Sequence, residues 1–89
     1  MTAIIDGSTI ETREQLHDTL AAQLALPAYY GRTLDALHDC LTDVFEPTEL
    51  RVIRTDALTE RLGLYAEVLH DVLRDASEEN SRLQIVWED

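Results

Sequence analysis

The sequence predicts an α/β fold, a small three-stranded parallel sheet packed with about four helices, in a single domain over residues 1–89. Three observations lead there. A chain of 89 residues holds one modest core and no second domain. With 45% hydrophobic residues it is too apolar to be disordered, despite a formal charge of −11. Three short β-type runs are separated by pairs of helical patterns, an order that right-handed crossovers turn into a parallel sheet.

Each element has its own signal. Met1 to Ile5 reads as a strand ended by the turn residues Asp6-Gly7. Thr12-x-x-Gln15 is a capping box, after which Leu16, Leu20 and Leu24 recur on one helical face until Pro27 ends the helix. Thr33 is the expected N-cap of a second helix with apolar positions Leu34, Leu37, Leu41 and Val44. Leu50 to Ile53, after Pro47, reads as the second strand. Thr55 or Asp56 is expected to cap a short third helix that stops near Gly63. A fourth runs from about Leu64 to Glu79, with Leu64, Val68, Val72 and Ala76 on one face, flanked by Leu69 and Leu73. Leu83 to Trp87 closes the sheet. No linker, low-complexity tract or internal repeat interrupts this order.

Charge narrows the function. Seven arginines and no lysine stand against eighteen carboxylates, and the pI is near 4.4. Direct binding to a phosphate backbone needs clustered basic residues, and an anionic membrane surface repels such a chain. The acidic surplus has two readings, solubility of a small domain or capture of a basic partner. Cys40 is the only cysteine, so no internal disulfide staples the domain. The run Ala3-Ile4-Ile5 is too short for a signal peptide, and no apolar run approaches the ~18 residues of a membrane span. A reducing cytoplasm is the expected compartment.

The acids are gathered as well as numerous. On a wheel of about 100° per residue, Leu34, Leu37, Leu41 and Val44 share one side of the second helix. Asp35, Asp39 and Asp43 form a stripe nearly opposite, at spacing i, i+4, i+8. Like charges so placed repel, and folding asks for none of them. The preceding loop, Pro27-Ala-Tyr-Tyr-Gly-Arg32, sets two tyrosines beside that stripe. One is expected to pack inward and the other to stay exposed, where an aromatic can stack on guanidinium or imidazole. On the fourth helix Asp71 and Asp75 fall at the edge of the apolar arc, where they either join the patch or form an ordinary polar flank.

Other chemistry is poorly supported. Glu14/His17 and Glu67/His70 have the Glu-x-x-His spacing of di-iron bundles, but such sites need four long helices with inward ligands. His38 and Cys40, two apart on a helix, point away from each other and make no nucleophile–base pair. Asp35 and Asp39 as general acid and base would need burial or a cleft, which an open stripe lacks. The three glycines form no phosphate-cradling loop. The chain is therefore read as a non-enzyme, with no cofactor and no metal.

The stretch Leu24-Ala-Leu-Pro-Ala-Tyr-Tyr-Gly-Arg-Thr-Leu-Asp-Ala-Leu-His-Asp-Cys-Leu-Thr42 closely resembles the core motif of the barstar family, intracellular inhibitors of secreted barnase-type ribonucleases. The resemblance extends over nearly the whole chain, through the opening strand into Asp6-Gly7, Leu16-His17, and the last helix and strand. It implies the same small parallel sheet with helices. It also implies inhibition by occlusion: the acidic helix and its loop enter a ribonuclease active site, where carboxylates replace substrate phosphate. The implied partner-binding face is Tyr29, Tyr30, Gly31, Thr33, Asp35, His38, Asp39, Thr42, Asp43 and Asp75, with Asp39 its central acid. Asp75 stands where the family has Glu, and Glu79 aligns with a further acid. His38 and Val44 replace tryptophans, Thr33 an asparagine, Asp43 a glycine and Arg32 a glutamate, so a related guanyl-specific ribonuclease with a different rim is the implied target. The implied complex is a 1:1 assembly of a monomeric, antitoxin-like inhibitor with a basic ribonuclease, its encounter electrostatically steered. The alternative is an acidic binding module of barstar-like fold with some other basic partner.

Overall fold

The computed structural model describes residues 1–89. Its elements are β1 (Thr2–Asp6), a 3-10 turn (Gly7–Thr9), α1 (Arg13–Gln23), α2 (Leu34–Thr42), β2 (Thr48–Ile53), α3 (Thr55–Leu62), α4 (Leu64–Glu79) and β3 (Leu83–Trp87). The three strands pair in parallel in the order β1-β2-β3. This is the three-stranded, four-helix α/β fold the sequence predicts. Because the strands are laid down in one direction, right-handed crossovers bring both helix pairs to the same face.

The register shows that face. Ala3 lies beside Leu50 and Leu50 beside Ile85, while Ile5, Val52 and Trp87 form the next row. Ala3, Ile5, Leu50 and Val52 are fully enclosed, and with Leu16, Leu20, Leu37, Leu41, Leu69 and Leu73 they make one continuous core. The opposite face carries Ile4, Arg51, Ile53 and Val86, and Arg51 pairs across it with Glu88 at 2.5 Å. A parallel sheet usually has both faces covered; here one is left to water, with an ion pair at its centre.

Local chemistry accounts for most boundaries. Thr12 caps α1 by accepting from the Gln15 N–H at 3.1 Å, while Gln15 reaches past the cap to accept from the Glu11 N–H. Thr33 caps α2 in the same way through the Ala36 N–H. Gly7 is required by close approach: a Cβ there would lie 2.3 Å from the Arg54 carbonyl oxygen and 2.9 Å from Leu58 Cβ.

Two expectations are corrected. Neither Thr55 nor Asp56 caps α3. Its N-cap is Arg54, held at φ 50° with no side-chain cap, and Thr55 is the first helical residue. The guanidinium of Arg54 is held by Asp6 at 2.9 Å, and the Thr55 hydroxyl donates to Asp89. On α4 the buried residues are Ala66, Leu69, Leu73 and Ala76, whereas Leu64 and Val68 are exposed. Two alanines let α4 approach its neighbours closely, so the buried stripe is turned away from the face that Leu64 and Val68 mark. That rotation carries Asp71 and Asp75 far from the buried side, by roughly 140–180° on the wheel.

Candidate protein-binding site

The loop before α2 separates the two tyrosines. Tyr29 is 87% exposed and Tyr30 only 8%. Tyr30 turns inward because His17, buried on α1, offers Nδ1 to its hydroxyl at 2.6 Å, while His17 Nε2 meets the Tyr65 hydroxyl at 2.6 Å. A neutral imidazole donates at one nitrogen and accepts at the other, so one phenol accepts and the other donates. Burial, reinforced by the nearby Arg32 charge, holds the His17 pKa below its ordinary value. Burial also pushes the Tyr30 phenol well up, and raises Tyr65 against the opposing pull of Arg13. The triad is uncharged and fully hydrogen-bonded, and it ties the loop to α1 and α4. Both ring nitrogens of His17 are thereby occupied, which leaves the Glu14/His17 spacing no free ligand. No group of three or more His, Cys, Asp or Glu is arranged to hold a metal ion.

Around this anchor the loop is tight. Tyr30 N–H donates to the Pro27 carbonyl, and Arg32 adopts φ 55°. Gly31 is exposed, and a Cβ there would meet Ala36 Cβ at 3.4 Å. The Arg32 guanidinium turns back to pair with Asp18 on α1. Arg13 lies over the Tyr65 ring, 4.3 Å from its centroid. An open cleft of about 510 Å³, lined by residues including Arg13, Glu14, Arg32, Asp35 and Tyr65, runs beside the start of α2.

Asp35, Asp39 and Asp43 are all exposed on α2, as the wheel predicts. Asp35 lies in the first turn, where the helix dipole favours an anion, and Asp43 is the C-cap, where it does not. The amide of Asn80, at the end of α4, offsets that C-terminal cost. Its Nδ2 donates to the Leu41 and Val44 carbonyls, each at 2.9 Å. The two threonines of the expected face serve the backbone: Thr33 as the N-cap, and Thr42 by donating to the Asp39 carbonyl at 3.0 Å. Half-buried Cys40 has its thiol pKa raised by burial and then by Asp39 and Asp43, so it stays protonated.

The carboxylate of α4 that meets α2 is Glu79. Its Oε2 lies 2.9 Å from His38 Nε2, while His38 Nδ1 is 3.8 Å from Asp39. Asp75 is exposed and has Arg74, on its own helix, as its nearest cation at 3.7 Å. Beyond the C-terminus of α2, Phe45 is 81% exposed, with the Arg82 guanidinium 4.6 Å from its ring centroid. The His17–Tyr30–Tyr65 triad, the Asn80 cap and the Phe45–Arg82 stack escape sequence reasoning because each joins elements far apart in the chain. Only the pairing of Leu16-His17 with the tyrosine loop in one family motif marks any of them.

A model of the family described as Barstar (barnase inhibitor) matches residues 1–88. The chain belongs to the barstar family. It is also 44% identical over 77 residues to a Bacillus subtilis (strain 168) protein described as "Putative ribonuclease inhibitor YrdF", an alignment covering 85% of each chain. The barstar family is one of inhibitors rather than enzymes, which accords with an acidic face built on an open helix. No helix of the structure is long and apolar enough to cross a membrane.

Proposed function

We propose that this chain is an intracellular inhibitor of a secreted, guanyl-specific microbial ribonuclease, acting as a monomer in a 1:1 complex. α2 and the Tyr29-Tyr30-Gly31 loop enter the enzyme's active site, and Asp35, Asp39 and Asp43 stand in for substrate phosphates before its basic catalytic groups. Tyr29 stacks at the rim. Thr33, His38, Thr42 and Asp75 complete the face, and Tyr30 holds the loop from beneath. The cell that makes the ribonuclease is protected, an antitoxin-like role in the cytoplasm.

The observation that carries this reading is how the charges are partnered. Arg32, Arg51, Arg54 and Arg74 are in ion pairs with Asp18, Glu88, Asp6, and Asp71 and Asp75. Arg13 and Arg82 lie on aromatic rings, and Arg61 donates to the Ser8 and Ile10 carbonyls. No arginine lies within 4.0 Å of Asp35, Asp39 or Asp43, and His38, 3.8 Å from Asp39, is the one basic side chain that near, so the stripe beside Tyr29 is left unpaired by arginine.

Titration into a panel of small guanyl-specific ribonucleases tests the proposal. Stoichiometric loss of activity is expected, weakened by Asp39→Ala and by added salt. If no ribonuclease is inhibited and Asp39→Ala changes nothing, the inhibitor reading fails, and an acidic binding module with another basic partner takes its place.

A further inference from the structure

We infer that His38 is an internal cation of the docking face, which competes with the partner's cations for Glu79 and Asp39 when it is protonated. This rests on the inhibitor reading for the identity of the partner, and on the geometry of α2 against α4 for the rest.

The titratable and charged groups on the two helices and at the start of β3 define its surroundings. α2 carries Asp35, Asp39, Cys40 and Asp43; the end of α4 carries Arg74, Asp75, Glu78 and Glu79; β3 is preceded by Arg82. Arg74 is paired with Asp71 and Asp75, and Arg82 lies over Phe45. His38 is therefore the one basic side chain within 4.0 Å of Asp39 or Glu79. It is also sheltered: its side chain is 31% exposed, against 85% for Asp39 and 59% for Glu79.

The two protonation states leave different faces. Neutral imidazole donates one hydrogen bond, and with the proton on Nε2 that bond goes to Glu79 at 2.9 Å. Asp39, 3.8 Å from Nδ1, is then free to meet a guanidinium or ammonium of the partner. Imidazolium has N–H groups on both nitrogens. It holds Glu79 as an ion pair, draws Asp39 toward Nδ1, and removes one negative charge from the patch. Imidazole side chains change charge between pH 5 and 8. A cationic partner is thus bound better by the neutral form, and binding releases a proton wherever both forms are populated.

The test compares wild type with His38→Gln, which keeps a hydrogen-bond donor without the titration, and with Glu79→Gln. Affinity for an inhibited barnase-type ribonuclease is measured at pH 7.5 and 5.5. Because the enzyme titrates too, the difference between proteins is the readout. Acidification is expected to weaken the wild-type complex about three- to fivefold more than the His38→Gln complex, the scale of one solvent-exposed ion pair. Glu79→Gln is expected to reduce that excess. Calorimetry at pH 6.5 in two buffers of different ionisation enthalpy should show more proton release for wild type than for His38→Gln. Equal pH responses and equal proton release overturn the inference while leaving the inhibitor reading intact. An arginine-rich peptide as a second probe separates the two ideas. A His38-dependent response to the peptide, with no ribonuclease bound, retires the inhibitor reading and keeps His38 as the competing cation.

Discussion

His17 has both ring nitrogens on phenols, and that single side chain decides which tyrosine of the loop is presented. Its folded pKa lies below its ordinary value, because burial and then Arg32 disfavour the charge. The unfolded chain, with histidine near pH 6.5, binds the proton more readily than the native state. Stability is therefore complete above about pH 6.5 and falls as the pH drops below it, levelling only under the folded pKa. Urea unfolding from pH 7.5 down to 5 should show this decline, and His17→Gln should flatten it at a lower starting stability. Tyr65→Phe removes one of the two hydrogen bonds and is expected to cost about 1–2 kcal/mol in the same assay. At the docking face, Asp39→Ala should cut ribonuclease affinity by on the order of a thousandfold or more. Truncating the strongest hot spots costs roughly 4–8 kcal/mol, the upper end being barnase–barstar itself, and the lower end of that range is the scale carried over. Arg32→Asn should be tolerated by the backbone, since asparagine accepts φ 55° more readily than arginine, although the Asp18 pair is lost.

At the scale of elements, α2 is a nine-residue helix with three acids, short enough that its ends matter. The N-terminus is held by Thr33, which the sequence announces. The C-terminus is held from α4 by Asn80, which it does not. Asn80→Ala leaves the Val44 carbonyl without its donor and the Leu41 carbonyl with backbone donors alone, and a loss of about 1–3 kcal/mol is expected by denaturant titration. Hydrogen exchange should quicken in the last turn of α2 well before the sheet is affected. The register of α4 departs from the expected one for a related reason. Leu64 and Val68 look like the apolar face by size, but Ala66 and Ala76 are the residues small enough for close packing, and hydrophobicity alone undervalues them. The third helix starts from Arg54 in the left-handed region rather than from a Thr55 or Asp56 cap, and the Arg54 guanidinium is held by Asp6, 48 positions away. In the same corner, Gly7→Ala drives a Cβ into the Arg54 carbonyl and should destabilise the protein more than any surface substitution, read as a lowered thermal midpoint.

For the molecule as a whole, the surplus of −11 acts through where it is not neutralised. Other carboxylates also lack an arginine, but those of α2 lie in one row beside an exposed tyrosine. Under the proposed function such a face is expected to steer a basic partner, with an association rate that falls by roughly tenfold or more between low salt and 0.5 M salt, while dissociation changes less. Stopped-flow mixing with an inhibited ribonuclease checks this. A rate indifferent to salt would leave the stripe without a steering role.

Order and period along the chain determined the three strands, the four helices, the parallel sense of the sheet and the acidic stripe. Those properties depend on near neighbours: alternation, i to i+4 spacing, caps, turns and the short reach of a crossover. The Tyr-Tyr-Gly loop joined to that stripe was also enough to reveal the family. What the tertiary structure decided depends on residues brought together from distant parts of the chain. It turned Tyr30 inward onto His17 and Tyr65, committed every arginine away from α2, and set His38 against Glu79. A local pattern records which charges exist; only packing decides which of them are left unpaired, because pairing is a matter of distance in space.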